Sequence, residues 1–203
     1  MACNLTAAIG INCKDQIGGL KYIYVCNDYY QNIEEQDIVT PNTFDITTAG
    51  FASWVGSDGA TATGTVNLYR YALRPNLSSM TINTNADPNN GTTFYTQTLS
   101  ITLQKLATAT AYQLRLLAYN RPQIFVEDNN GNVMLLGYNN GCDVTGGTAT
   151  TGTAKGDLAG FTFEISAEEK APYYEIPAGT PGAIDYPFDG LADLDASLVV
   201  NIA

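Results

Sequence analysis

Histidine is absent from all 203 residues, and this absence removes more chemistry than any other feature of the chain. Zinc sites built on imidazole, Ser-His-Asp triads and Cys-His dyads are excluded, and the most common general base is missing. Charge is scarce too, with Asp, Glu, Lys and Arg together at 14% and 9 basic side chains against 20 acidic ones. Tight, sequence-general binding to nucleic acid needs Lys and Arg to neutralise phosphates, so it is not expected. No apolar run approaches the roughly 20 residues that span a bilayer. The opening MACNLTAAIGINCKDQ has no basic start followed by an apolar core, so no secretory signal is expected and synthesis in the cytoplasm is. The four cysteines, Cys3, Cys13, Cys26 and Cys142, form no Cys-x-x-Cys pair. They read as small buried hydrophobes, with a Cys3–Cys13 or Cys13–Cys26 disulfide as the alternative.

What is present points to sheets. Apolar residues reach 45%, enough for a core, and 13 Tyr suit half-buried sheet surfaces where the ring packs and the hydroxyl stays wet. LKYIYVC (20–26) sets Tyr22, Tyr24 and Cys26 against Ile23 and Val25. VNLYRYAL (66–73) alternates in the same way, and NLSSMTINT (76–84) follows Arg74-Pro75, which predicts a hairpin between the two. In TTFYTQTLSITL (92–103), Leu99, Ile101 and Leu103 oppose Thr98, Ser100 and Thr102. GFTFEISA (160–167) places Phe161, Phe163 and Ile165 inward and Thr162, Glu164 and Ser166 outward.

One stretch reads as helix. In residues 103–120, Leu103, Leu106, Thr110, Leu114 and Leu117 recur at steps of three and four, and Pro122 ends the run. Ile124 to Glu127 and Val133 to Leu136 then flank a turn of Asp128, Asn129, Asn130, Gly131 and Asn132, a strong hairpin signal. A Gly/Thr-rich loop is expected over 139–159. The fold class is therefore mainly β: an antiparallel β-sandwich or barrel with one flanking α-helix at about 103–119 and extended loops or arms. Residues 1–176 read as a single sandwich domain with a loop or arm inserted at about 28–64. Residues 177–203 read as a C-terminal acidic arm or extra strand.

The motifs that carry chemistry elsewhere fail here on spacing. In an EF-hand reading of 128–139, Asp128, Asn130 and Asn132 fit positions 1, 3 and 5, but Gly131 falls at 4, Val133 at 6 and Asn139 at 12. Gly147 and Gly152 have P-loop spacing, yet Thr153-Ala154 stand where Lys and Ser/Thr should follow, and Lys155 is displaced. The pairs Glu34-Glu35 and Glu168-Glu169 offer glycosidase acids with nothing to fix their separation. The sequons at Asn4, Asn76 and Asn90 mean little without secretion. No catalytic, metal or cofactor site is expected, and the chain is not expected to be an enzyme. Charge is nonetheless uneven: from Asp157 to Ala203 nine acids face Lys170 alone, so this stretch carries most of the net charge of −11.

Two blocks look like known proteins. ACNLTAAIGINCKDQIGGLKYIYVCN resembles the beginning of structural proteins from tailed bacteriophages of Bacteroidetes-type hosts, with Cys-Lys-Asp and Gly-Gly-Leu-Lys before the first strand. PQIFVEDNNGNVMLLGYNNGCDVTGGTATTGTAKGDLAGFTFEISAEEKAP is similar to the helix-following hairpin, Gly-rich loop and closing strand of those proteins, which look like tail tube or related virion components. Together the blocks cover a little under two-fifths of the chain. The resemblance implies a tail tube subunit: a sandwich with a flanking helix whose copies close into rings and stack around a DNA channel, in a virion assembled from chains made in the host cytoplasm. Its partners would be copies of itself and other virion proteins, with no membrane and no specific nucleic-acid binding. Asp128, Asn129, Asn130, Gly131, Thr148, Thr151 and Gly152 would then lie at subunit interfaces, and Asp157, Glu164, Glu168 and Glu169 would form an acidic surface or lumen. The alternatives are another virion position (head-tail connector, capsid decoration or fibre base) or a surface carbohydrate-binding β-sandwich.

Overall fold

Period-two alternation becomes strands wherever one face finds a core. The computed structural model describes residues 15–26, 64–176, 179, 186–188 and 198–202, with backbone alone for 64–67 and 198–202. In chain order the elements are β1 (Leu20–Cys26), β2 (Gly64–Ala72), β3 (Ser79–Asp87), β4 (Thr92–Gln104), α1 (Thr108–Tyr119), β5 (Gln123–Asp128), β6 (Val133–Leu136), β7 (Asp143–Thr150), β8 (Gly160–Glu169), β9 (Tyr174–Ile176) and β10 (Leu198–Ile202). They form two open sheets, one in the order β10-β2-β1-β5-β6-β9 and one in the order β3-β4-β8-β7. The arrangement is a sandwich and not a closed barrel. Every strand pair is antiparallel except β10 with β2, which is parallel.

The inner faces of the two sheets make one core. Ile23 and Val25 of β1, Ile124 and Val126 of β5, Leu99 and Ile101 of β4, and Phe161 and Ile165 of β8 pack together, joined by Leu114 and Leu117 of α1. Each such side chain contributes roughly 1.5–3 kcal/mol on burial. The described part of the six-stranded sheet buries much of its other face as well. Tyr24, Leu68, Phe125, Leu135 and Tyr174 are all buried there, and Phe188 sets its ring edge-on at 5.1 Å to both Tyr24 and Phe125. The central strand β1 therefore has apolar residues on both sides.

Several expectations change. The helix begins at Thr108, not near 103, because Leu103 and Gln104 are held in β4 by pairing with Phe161 and Gly160. Leu106 is left exposed between strand and helix. The two segments around Arg74-Pro75 do not form a hairpin: β2 pairs with β1 and β10, while β3 pairs with β4 in the other sheet. Residues 73–78 are thus a crossing between layers. Of the expected 139–159 loop, Asp143–Thr150 is a strand that pairs along β8, with a bulge between Val144 and Gly146. Cys26 and Cys142 are buried thiols, so Cys26 is in no disulfide. The expected insertion at 28–64 lies outside the described residues except for Gly64, and so does most of 177–203, including the acids there.

Candidate assembly surface

The sequence-nominated residues divide between the two sheets. Asp128, Asn129, Asn130 and Gly131 make the β5–β6 turn. One Asp128 carboxylate oxygen accepts the backbone N–H groups of Asn130 and Asn132, both at 2.8 Å, and the other accepts their side-chain amides at 3.0 Å. Gly131 supplies the left-handed conformation the turn needs (φ 89°). The neighbouring amides reach outward from the turn to a second segment of the same chain. Asn129 donates its side-chain amide to Gly18 O (2.8 Å), and Asn130 both accepts the Ile17 N–H (2.9 Å) and donates to Ile17 O (3.0 Å). This turn clasps residues 17–18 in place beside β1.

Thr148, Thr151 and Gly152 belong to the four-stranded sheet. Thr148 lies in β7 opposite Thr162, and Thr151 and Gly152 open the connection to β8. That connection is closed by Asp157, whose carboxylate accepts the Ala154 N–H (2.7 Å), the Thr153 N–H (2.8 Å) and the Thr153 hydroxyl (3.0 Å). These bonds, the Ala154 N–H foremost, hold the Asp157 carboxyl below the usual range.

Glu164 and Glu168 stand on the exposed face of β8, opposite Ser100 and Thr96 of β4. Glu169 does not join them, which corrects its place in the expected acidic surface. It is buried, because alternation turns it to the other side of the strand, where Oε1 accepts the N–H groups of Asn139 and Asn140 at 2.8 Å each. Burial raises the Glu169 carboxyl above its usual value despite those donors. Its Oε2 is buried with no hydrogen-bond partner among the described residues.

The alternation of β5 gives no sign of a second buried carboxylate there. Glu127 is buried and accepts the Tyr24 hydroxyl at 2.7 Å and the Lys21 ammonium at 3.1 Å. Burial first, then this bond to Glu127, pushes the Tyr24 phenol far up. Two buried glutamines act in the same structural way. Gln97 donates to Pro172 O (2.8 Å) and accepts the Gly137 N–H (3.0 Å), and Gln123 donates to Tyr138 O (2.9 Å). These polar groups pin turns; among the described residues no group of three or more Cys, Asp or Glu is arranged to hold a metal.

The four-stranded sheet differs from the other in its charge and in the chemistry of its outward face. None of β3, β4, β7 and β8 contains a Lys or Arg. Its outward face is mostly hydroxyl and carboxylate: Thr96, Thr98, Ser100 and Thr102 opposite Glu168, Ser166, Glu164 and Thr162. Its edge strands β3 and β7 each pair on one side only among the described residues, as β10 and β9 of the other sheet do. Edge strands of isolated sheets are usually blunted by Lys, Pro or an inward charge. SMTINTNAD and DVTGGTAT carry neither Lys nor Pro, and their single charges, Asp87 and Asp143, stand at strand ends.

No family model matches the chain, and no curated protein is similar to it. Among solved structures, a chain of the virion of a native gene transfer agent particle is similar over 49% of this chain and 82% of that one, at 6% identity and a TM-score of 0.33.

Proposed function

We propose that this chain is a non-enzymatic virion structural protein, a tail tube subunit that closes into rings and stacks around a DNA channel. The observation that carries the reading is the four-stranded sheet, whose edge strands pair on one side only among the described residues and carry neither Lys nor Pro, and whose outward-facing strand residues include no cation. Its strands alternate in direction, so β3 and β7 run oppositely. Rotation about a ring axis preserves strand direction, so β7 of one copy meets β3 of the next in antiparallel register. Repetition of that heterologous contact leaves no edge when the ring closes.

The outward face of β3-β4-β8-β7 would then line the channel. Hydroxyls keep it wetted, and Glu164 and Glu168 repel phosphates, so DNA passes without sticking. The resemblance of the β5–β8 block to phage virion proteins supports the same reading. The partners are copies of the chain and other virion proteins, and the location is the virion. Negative-stain images of the purified full chain at high concentration test this directly. Rings with a central hole, stacked into tubes, are expected; a chain that sediments as a monomer at all concentrations contradicts the reading.

A further inference from the structure

Two unlike apolar patches flank the edge strands β7 and β3 of the four-stranded sheet. The first is on α1. Leu114 and Leu117 enter the core, while Tyr112, Leu116 and Tyr119, on the opposite side of the helix, are 58%, 44% and 76% exposed. Their spacing of four and three residues makes them one stripe. A helix that is apolar on two opposite faces is suited to being covered on both. α1 packs against β7, and a groove of about 470 Å³ runs between them. Arg115, the only charged residue of the helix, lines that groove, and its guanidinium lies 5.5 Å from the centre of the Tyr119 ring.

The second patch adjoins β3. Ile17 is 67% exposed and Leu77, two residues before the strand, is 42% exposed. Ile17 and Met80 line a recess of about 300 Å³ whose only charged residue among the described residues is Asp128. The Asn130 clasp fixes the Ile17 backbone, so this patch is held ready with little ordering cost. The groove on one side is therefore positive and the recess on the other negative.

Sheet direction brings the two together. Met80 pairs with Leu99, so it faces the inner side of the sheet, the side on which Phe161, Phe163 and α1 lie. A β3 strand added to β7 would carry Met80 of the incoming copy across to α1. We propose that α1 of one copy docks on the Ile17–Leu77–Met80 patch of the next, with Arg115 facing the Asp128 side. The partner is a second copy of this chain, the contact is heterologous, and the inference rests on the ring reading above.

Leu116→Glu and Ile17→Glu alter exposed positions, and each is expected to keep the wild-type thermal melt. Tyr119→Glu replaces Leu116→Glu if the latter melts early. In sedimentation velocity, each variant alone is expected to stay monomeric up to about tenfold above the concentration at which the wild-type chain assembles. An equal mixture is expected to give a heterodimer that grows no further. The Ile17→Glu chain keeps an intact α1, and the Leu116→Glu chain keeps an intact Ile17 patch. Self-assembly of either variant at the wild-type concentration, or a mixture that stays monomeric, overturns the docking inference and leaves the tube reading standing. A wild-type chain that never assembles overturns both.

Discussion

The two sheets spend their residues differently. The central strands β1, β5 and β6 of the six-stranded sheet are mostly buried on both faces, and the sheet carries an aromatic layer of Tyr24, Phe125 and Tyr174 under Phe188, together with the Glu127–Tyr24 hydrogen bond. The four-stranded sheet buries one face, leaves the other wet and cation-free, and among the described residues pairs its edge strands β3 and β7 on one side only. Stability is concentrated in the first and availability for contact in the second. The proposed tiling needs this division, because residues at a copy-to-copy boundary must be exposed before assembly.

The largest test of the contrast compares Phe125→Ala with Thr98→Ala. Phe125 is completely buried and touches Phe188, so its truncation is expected to cost about 3–5 kcal/mol. Thr98, on the wet face, is expected to change stability by no more than about 0.5 kcal/mol. Urea unfolding of the two variants measures both, and similar losses would erase the distinction between the sheets. Next comes Glu127→Ala, which leaves the Tyr24 hydroxyl buried without its acceptor, at an expected cost of about 2–3 kcal/mol. Lys21 is half exposed and adds little. Glu127→Gln keeps an oxygen for the phenol and is expected to lose clearly less in the same assay.

Glu169 should respond to pH in the reverse of the usual acidic sense. Its folded carboxyl sits above the ordinary value because burial disfavours the charge. The stability it allows is complete below the unfolded value and is lost as pH rises through the folded one. Glu169→Gln is therefore expected to be at least as stable as wild type near neutral pH. The difference should vanish on acidification below the usual glutamate range; a variant that is instead less stable at neutral pH and recovers in acid would refute this. A stability effect as small as that of Thr98→Ala, within about 0.5 kcal/mol, is expected for Glu164→Lys with Glu168→Lys on the outward face. Its consequence lies elsewhere: assemblies of this double variant should retain duplex DNA at low salt and release it as salt rises, whereas wild-type assemblies should retain none.

Much of this division was legible in the sequence. The alternation in 92–103 and 160–167 placed Leu99, Ile101, Phe161 and Ile165 inward, as observed. β7 was missed because DVTGGTAT offers Thr and Gly where a half-buried strand ordinarily shows apolar residues, and its partner β8 decides the conformation. The helix start was misplaced because Leu103 and Leu106 fit a three-and-four spacing while β8 pairing holds Leu103 in a strand. Arg74-Pro75 signals a turn but not which sheet receives the next strand. Glu127 and Glu169 look like surface acids in one dimension, since their donors, Tyr24 and the Asn139–Asn140 backbone, lie distant in sequence or in a turn. Which strands are edges depends on strand order, which no local pattern encodes.

Hydrogen–deuterium exchange of the full chain, dilute and assembled, tests the central claim most directly. Amides of residues 79–87 and 143–150 are expected to gain protection together on assembly, while those of β1 and β5, paired on both sides within one copy, should hardly change. Assembly that leaves both edge strands exchanging as in the dilute chain would contradict the account.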